Sequence, residues 1–140
     1  MLHAYVVFLL AASHCAYAIM STDDYSGKLK DMMKMLHDTC IVRSSMDESK
    51  VADMSGGKFP DDATMKKYIS CLWTSTVITD SGSIDMDMVN EMCPPKIKEK
   101  GPKILQDCFD KNAGAPNLDD KLYSMTKCMY ETNSEDFIIF

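Results

Sequence analysis

Three features of this 140-residue chain predict an all-α fold, a compact bundle of about six short helices held by disulfides. Apolar residues recur at three- and four-residue steps through most of the chain beyond residue 18, and strand-like alternation is scarce. Cys40, Cys71, Cys108 and Cys128 lie on these amphipathic segments with 30, 36 and 19 residues between them, a staple-like spread rather than a convergence of Cys, His and carboxylate. Clusters of Gly, Pro, Ser and Asn cut the periodic stretches into short pieces.

The first helix is expected to open at Ser21 or Thr22, with Asp23 and Asp24 against the positive end of its dipole, and to carry Leu29, Met32, Met33, Leu36 and Cys40 on one face. A shorter helix from Asp47 to about Met54 ends at Gly56-Gly57, since glycine tolerates the left-handed backbone of a helix end. After Pro60, Asp61-Asp62 supply capping residues for the most strongly periodic segment, Met65, Ile69, Leu72, Trp73 and Thr76. Ser81-Gly82-Ser83 reads as a turn, and the short helix after it, Ile84 to Met92, is terminated by Cys93-Pro94-Pro95. A helix of about fifteen residues then carries Ile97, Ile104, Leu105, Cys108 and Phe109, with Gly101-Pro102 as a point of kinking or splitting and Asn112 to Pro116 as its stop. Asn117 caps a last helix containing Leu118, Leu122, Met125, Cys128 and Met129, and residues 133–140 form a tail ending Phe137-Ile138-Ile139-Phe140.

Residues 1–18 combine an apolar core with Ala16-Tyr17-Ala18, the small-x-small pattern that signal peptidase accepts, and the apolar run is too short to cross a bilayer stably. A secreted, extracellular chain is expected, with residues 19–140 forming a single domain. Cys15 leaves with this signal peptide, so five cysteines remain, and counting permits fifteen ways of making two bridges from them. The formal charge of −6 and the pI near 4.9 reside wholly beyond residue 18 and disfavour nucleic acid and anionic lipid as partners. No Gly-x-Ser-x-Gly, His-Glu-x-x-His or calcium-loop spacing occurs, and His37 with a lone Cys makes no triad. No catalytic residue, metal or cofactor is expected, and the chain is not read as an enzyme. Cys93 is either a buried, inert thiol or an exposed one able to join two chains, so a monomer and a weak homodimer are both open.

The stretch Lys66-Lys67-Tyr68-Ile69-Ser70-Cys71-Leu72-Trp73 resembles the cysteine, three residues, cysteine signature of insect odorant-binding and pheromone-binding proteins, with Lys67 where the second of their six cysteines would stand. With eight residues intervening before Cys128, the fifth falls at Asp119, so the two absent cysteines are those that pair with each other in that family. The resemblance covers essentially all of the chain and is to the subgroup called minus-C. It implies Cys40–Cys71 and Cys108–Cys128 as the surviving bridges. A bridge between positions 67 and 119 would have contributed about 4 kcal/mol, so its loss is expected to leave a domain easier to deform. The opposite charges of Lys67 and Asp119 lead us to expect an ion pair in its place, worth about 0 to 1 kcal/mol if exposed.

The same resemblance implies a binding cavity enclosed by the helices and lined by Met33, Ile69, Trp73, Leu105 and Met129. Each is large and apolar and lies on the inward face of its helix. Trp73 is expected to place its ring against a ligand and to offer it one N–H. Thirteen methionines, twelve of them after Met1, suit ordinary core packing or an adaptable pocket wall. In the tail, Phe137, Ile138 and Phe140 are read as a lid or as a disordered end, and Glu135 and Asp136 as groups that couple closure to pH in a direction the sequence leaves open. The function expected is a secreted carrier of small hydrophobic ligands, odorants, pheromones or similar volatiles and lipids, through aqueous extracellular fluid to a membrane olfactory receptor. The alternatives are a secreted helical signalling or venom-type protein acting through its surface, and a non-olfactory lipid or hormone carrier.

Overall fold

Side-chain oxygens set most of the helix starts in the computed structural model, which describes residues 25–137 and residue 139. Asp47 accepts from the Ser49 N–H at the head of α2 (Glu48–Ser55), and Asp62 accepts from the Thr64 and Met65 N–H groups at the head of α3 (Ala63–Thr74). Asp85 does the same for Met88 in α4 (Met86–Met92), and Asn117 for Asp120 in α6 (Leu118–Thr132). These oxygens satisfy N–H groups that have no partner within their own helix. α1 (Gly27–Ser44) and α5 (Gly101–Lys111) start without such a bond, and α5 instead has Pro102 in its first turn, where a missing N–H removes no helical hydrogen bond. Short 3-10 turns cover Pro95–Ile97 and Ser134–Asp136. Among the described residues the fold is all-α apart from one isolated antiparallel bridge, Ile78 with Ile84.

Three boundaries differ from the sequence expectation. Tyr25 and Ser26 are not helical, so α1 begins at Gly27 and then runs one turn past Cys40. Ile84 is drawn into the bridge with Ile78, supported by the Thr79 N–H to the Ser83 carbonyl at 2.9 Å and the Asp85 N–H to the Val77 carbonyl at 2.8 Å, which delays α4 to Met86. Gly101-Pro102 opens α5 rather than kinking it, and Ile97 belongs to the preceding 3-10 turn, because a residue that cannot donate fits a first turn and not an interior one. The signal peptide over residues 1–18 and the helix start at Ser21 or Thr22 lie outside the described residues.

α3 occupies the centre, packed against α1 on one side and α6 on the other, while α6 also packs on α5. Its inward face accounts for that position: Met65, Tyr68 and Ile69 are fully buried and share one core cluster with Leu122 and Met125 of α6 and Met54 of α2. The two disulfides join the same neighbours, Cys40–Cys71 linking α1 to α3 and Cys108–Cys128 linking α5 to α6, with Cα separations of 5.6 and 5.7 Å. The methionines divide three ways. Among the described residues, Met46, Met54, Met65 and Met125 are core with Met86 packed against them, Met33, Met92 and Met129 line a cavity, and Met32, Met35 and Met88 are exposed.

His37 is held between helices. Its Nδ1 is 2.7 Å from the Tyr68 hydroxyl and its Nε2 3.0 Å from a Glu48 carboxylate oxygen. All three groups are satisfied when Tyr68 donates to Nδ1 and the Nε2–H donates to Glu48. Burial pushes the ionisation of Tyr68 well above its ordinary range, so the phenol remains a donor. No helix among the described residues is long and apolar enough to cross a membrane.

Candidate functional site: a cavity between the helices and the tail

Five helices and the tail leave a cavity of about 140 Å³. Met33 and Leu36 contribute from α1, Leu72 and Trp73 from α3, Val89 and Met92 from α4, Ile104 and Leu105 from α5, and Thr126 and Met129 from α6. Four of the five expected lining residues, Met33, Trp73, Leu105 and Met129, therefore stand at its wall. Ile69 does not. It sits one turn before Trp73 on α3, fully buried in solid core, because at that level the facing helices close on it. The sequence reading missed the contribution of α4, although the three-residue step from Val89 to Met92 marks an inward face.

The few polar groups at the wall are mostly engaged within the protein. The Trp73 Nε1–H donates to Thr126 Oγ1 at 2.8 Å, and the Thr126 hydroxyl donates onward to the Leu122 carbonyl at 2.7 Å. The indole N–H is thus consumed by the fold, which corrects the expectation that it would be offered to a ligand, while the ring still lines the cavity. The Thr76 hydroxyl donates to the Leu72 carbonyl at 2.8 Å. Cys93 is unpaired, half-buried and at the wall. Burial raises its pKa, which keeps the thiol protonated and unreactive.

The chain end folds back over this site. Asp136 forms ion pairs with Lys100 at 2.5 Å and Lys96 at 3.4 Å and accepts a hydrogen bond from Asn133 Nδ2 at 3.1 Å. The Lys100 ammonium, then Asn133 and Lys96, hold its carboxyl below the usual carboxylate range. Phe137 is buried at the cavity wall and meets Phe59 and Tyr130 edge-on, with ring centroids 6.1 and 5.3 Å away. Ile139 also lines the cavity, whereas Ile138 and Phe140 lie outside the described residues.

The expected ion pair between Lys67 and Asp119 is not formed. The adjacent residues make it instead: Lys66 Nζ is 2.7 Å from Asp120 and also pairs with Asp61, while Lys67 is exposed. Successive helical side chains point about 100° apart, so only one of two neighbouring lysines on α3 faces α6.

Three solved structures share this fold. Apis mellifera odorant binding protein 5 superposes with a TM-score of 0.70 at 25% identity, covering 86% of this chain and 98% of that one. Odorant binding protein 4 of Chrysopa pallens gives 0.70 at 22% identity, covering 83% and 98%, and supports the fold alone. Odorant binding protein 7 of Anopheles gambiae, with four disulfide bridges and in complex with an azo compound, likewise shares the fold, at 0.62 and 24% identity over 76% and 87%. A profile of the PBP/GOBP family matches residues 22–132, a span that includes the six α-helices of the described residues and both disulfides, and the chain belongs to that family.

Proposed function

We propose that the protein is a secreted carrier of small hydrophobic molecules of the odorant or pheromone kind, moving them through extracellular fluid towards membrane olfactory receptors without chemical turnover. The observation that carries this reading is the cavity itself, walled by aliphatic, methionine and indole side chains and covered by the chain's own tail. Membership of the PBP/GOBP family supports it, as does the ligand held by the Anopheles protein of the same fold. The leader-like residues 1–18 favour export as a single domain, and Lys67 and Asp119 at the two missing cysteine positions favour the four-cysteine subgroup.

Met33, Trp73, Leu105 and Met129 are the proposed ligand contacts. At about 140 Å³ the cavity is comparable with the roughly 150 Å³ aliphatic cavity that takes up benzene. It suits one ring or a short chain as it stands, and ten carbons or more require the methionines or the tail to give way. Each buried CH₂ contributes roughly 0.8 kcal/mol before association costs, enough for micromolar to submillimolar binding.

Trp73 is the single tryptophan of the chain and lines the cavity, so its emission reports occupancy directly. Titration with 1-octanol, transparent where indole absorbs, should change that emission saturably. An unchanged spectrum, with a bound hydrophobic dye that octanol fails to displace, would leave the surface-acting signalling or venom-type reading in its place.

The tail is proposed as a lid, latched by Asp136 and seated by Phe137. Burial of a phenylalanine contributes about 1.5–3 kcal/mol, so deleting residues 137–140 should speed ligand release by roughly ten- to hundredfold in stopped-flow measurements. Equal release rates for the full and shortened chains would exclude a lid. The depressed pKa of Asp136 gives the pH dependence its sign: the latch is fully present above the ordinary Asp value of 3.8 and is lost as pH falls below it. Release from the full chain should therefore be constant from neutral to mildly acidic pH and rise below about pH 4.

A further inference from the structure

We infer that the cavity takes a compact, uncharged ligand bearing one oxygen, and that Asn133 is the residue that recognises this oxygen. The inference rests on the carrier reading above and adds to it a chemical class and a specificity-determining residue. It follows from asking which polar groups at the wall retain unused hydrogen-bonding capacity.

Trp73 and Thr126 bond to each other, and Thr126 donates to a carbonyl. The Thr76 hydroxyl has spent its proton on Leu72. The Asp136 carboxylate is neutralised by Lys96 and Lys100. The Cys93 thiol is a weak donor, and Tyr25, also at the wall, has an interaction of its own. Asn133 differs from these. Its main-chain N–H donates to the Met129 carbonyl, but among the described residues its side chain makes a single bond, Nδ2 to Asp136 Oδ2 at 3.1 Å. One N–H and the Oδ1 lone pairs are left, on a half-buried residue that lines the cavity where α6 gives way to the tail. A free N–H serves a ketone, aldehyde or ester, and Oδ1 serves an alcohol, so the amide reads either kind of neutral oxygen. Among the described residues no unpaired cation stands at the wall to compensate a carboxylate, whose burial would go unbalanced. The remaining surface is apolar and takes the hydrocarbon part, the usual division of labour in a ligand pocket.

Ethylbenzene and acetophenone have nearly the same shape and differ by one carbonyl oxygen. Their affinities, measured by calorimetry on the full chain and on Asn133→Leu, Tyr25→Phe and Cys93→Ala, test the assignment. Asn133→Leu should weaken acetophenone roughly three- to tenfold, the worth of one net hydrogen bond, and leave ethylbenzene within about twofold. Tyr25→Phe and Cys93→Ala should leave the ratio of the two affinities unchanged. Three results would overturn the inference: no change in that ratio with Asn133→Leu, an equal loss for both ligands, which would reflect a loosened tail, or loss of discrimination in one of the other variants instead. Failure of the unsubstituted protein to bind either compound would instead remove the carrier reading itself.

Discussion

Replacing Cys40 and Cys71 together by alanine should lower the melting temperature by roughly 15–30 °C, the largest stability change expected from any two substitutions here. The bond closes a sequence separation of 31, worth about 4 kcal/mol in the chain-entropy account, and each kcal/mol moves the midpoint of a domain near this size by about 4–8 °C. Cys40 is fully buried, so its truncation adds a packing loss. Cys108–Cys128 closes a separation of 20 and should matter less, contributing about 3 kcal/mol. Thermal unfolding followed by far-ultraviolet circular dichroism reads both. A fall of under 5 °C for Cys40→Ala with Cys71→Ala would mean that α1 is held on α3 by packing and needs no covalent link. Because no disulfide joins α3 to α6, that seam relies on core packing, the Trp73–Thr126 hydrogen bond and the Lys66–Asp120 pair, and it is where this domain is expected to yield first.

Gly57→Ala should destabilise the protein by about 2–4 kcal/mol, while Gly56→Ala next to it should be close to neutral. Gly57 has φ +82°, and a Cβ there would lie 2.5 Å from the Tyr130 ring. The left-handed backbone costs a non-glycine residue about 1 kcal/mol or more, and overpacking adds about 1–3 kcal/mol. Gly56 has φ −86°, and its added Cβ would come no closer than 3.4 Å to a neighbouring carbonyl. Tyr130 also packs against Phe59 and Phe137, so displacing it should unseat the tail and hasten ligand release. Denaturant titration of both variants distinguishes them, and equal midpoints would contradict this account. The sequence presents the pair simply as a stop signal. Which glycine is irreplaceable depends on a ring more than seventy residues away.

Much of the fold was legible because its signals are local. Asp62 and Asn117 read as caps and are caps, and the apolar steps of α3 and α6 correctly identify Met65, Leu122 and Met125 as inward-facing. Less of the site was legible. Ile69 and Trp73 lie one turn apart on the same helix and look equivalent in the sequence, yet one meets packed side chains and the other a cavity. Lys66 and Lys67 are identical in type, and only the rotation of α3 against α6 selects the one that pairs. The free amide of Asn133 was invisible, since it emerges from counting bonds that other residues make.

By itself the sequence determined that this chain is helical, where most of its helices start and which of their faces turn inward, because capping and a 3.6-residue period act over one or two turns. The tertiary structure alone decided which inward residues border empty space, which charges pair and which polar groups stay unused. Those outcomes depend on how each helix is rotated and spaced against its neighbours, and that follows from the packing of all the side chains at once.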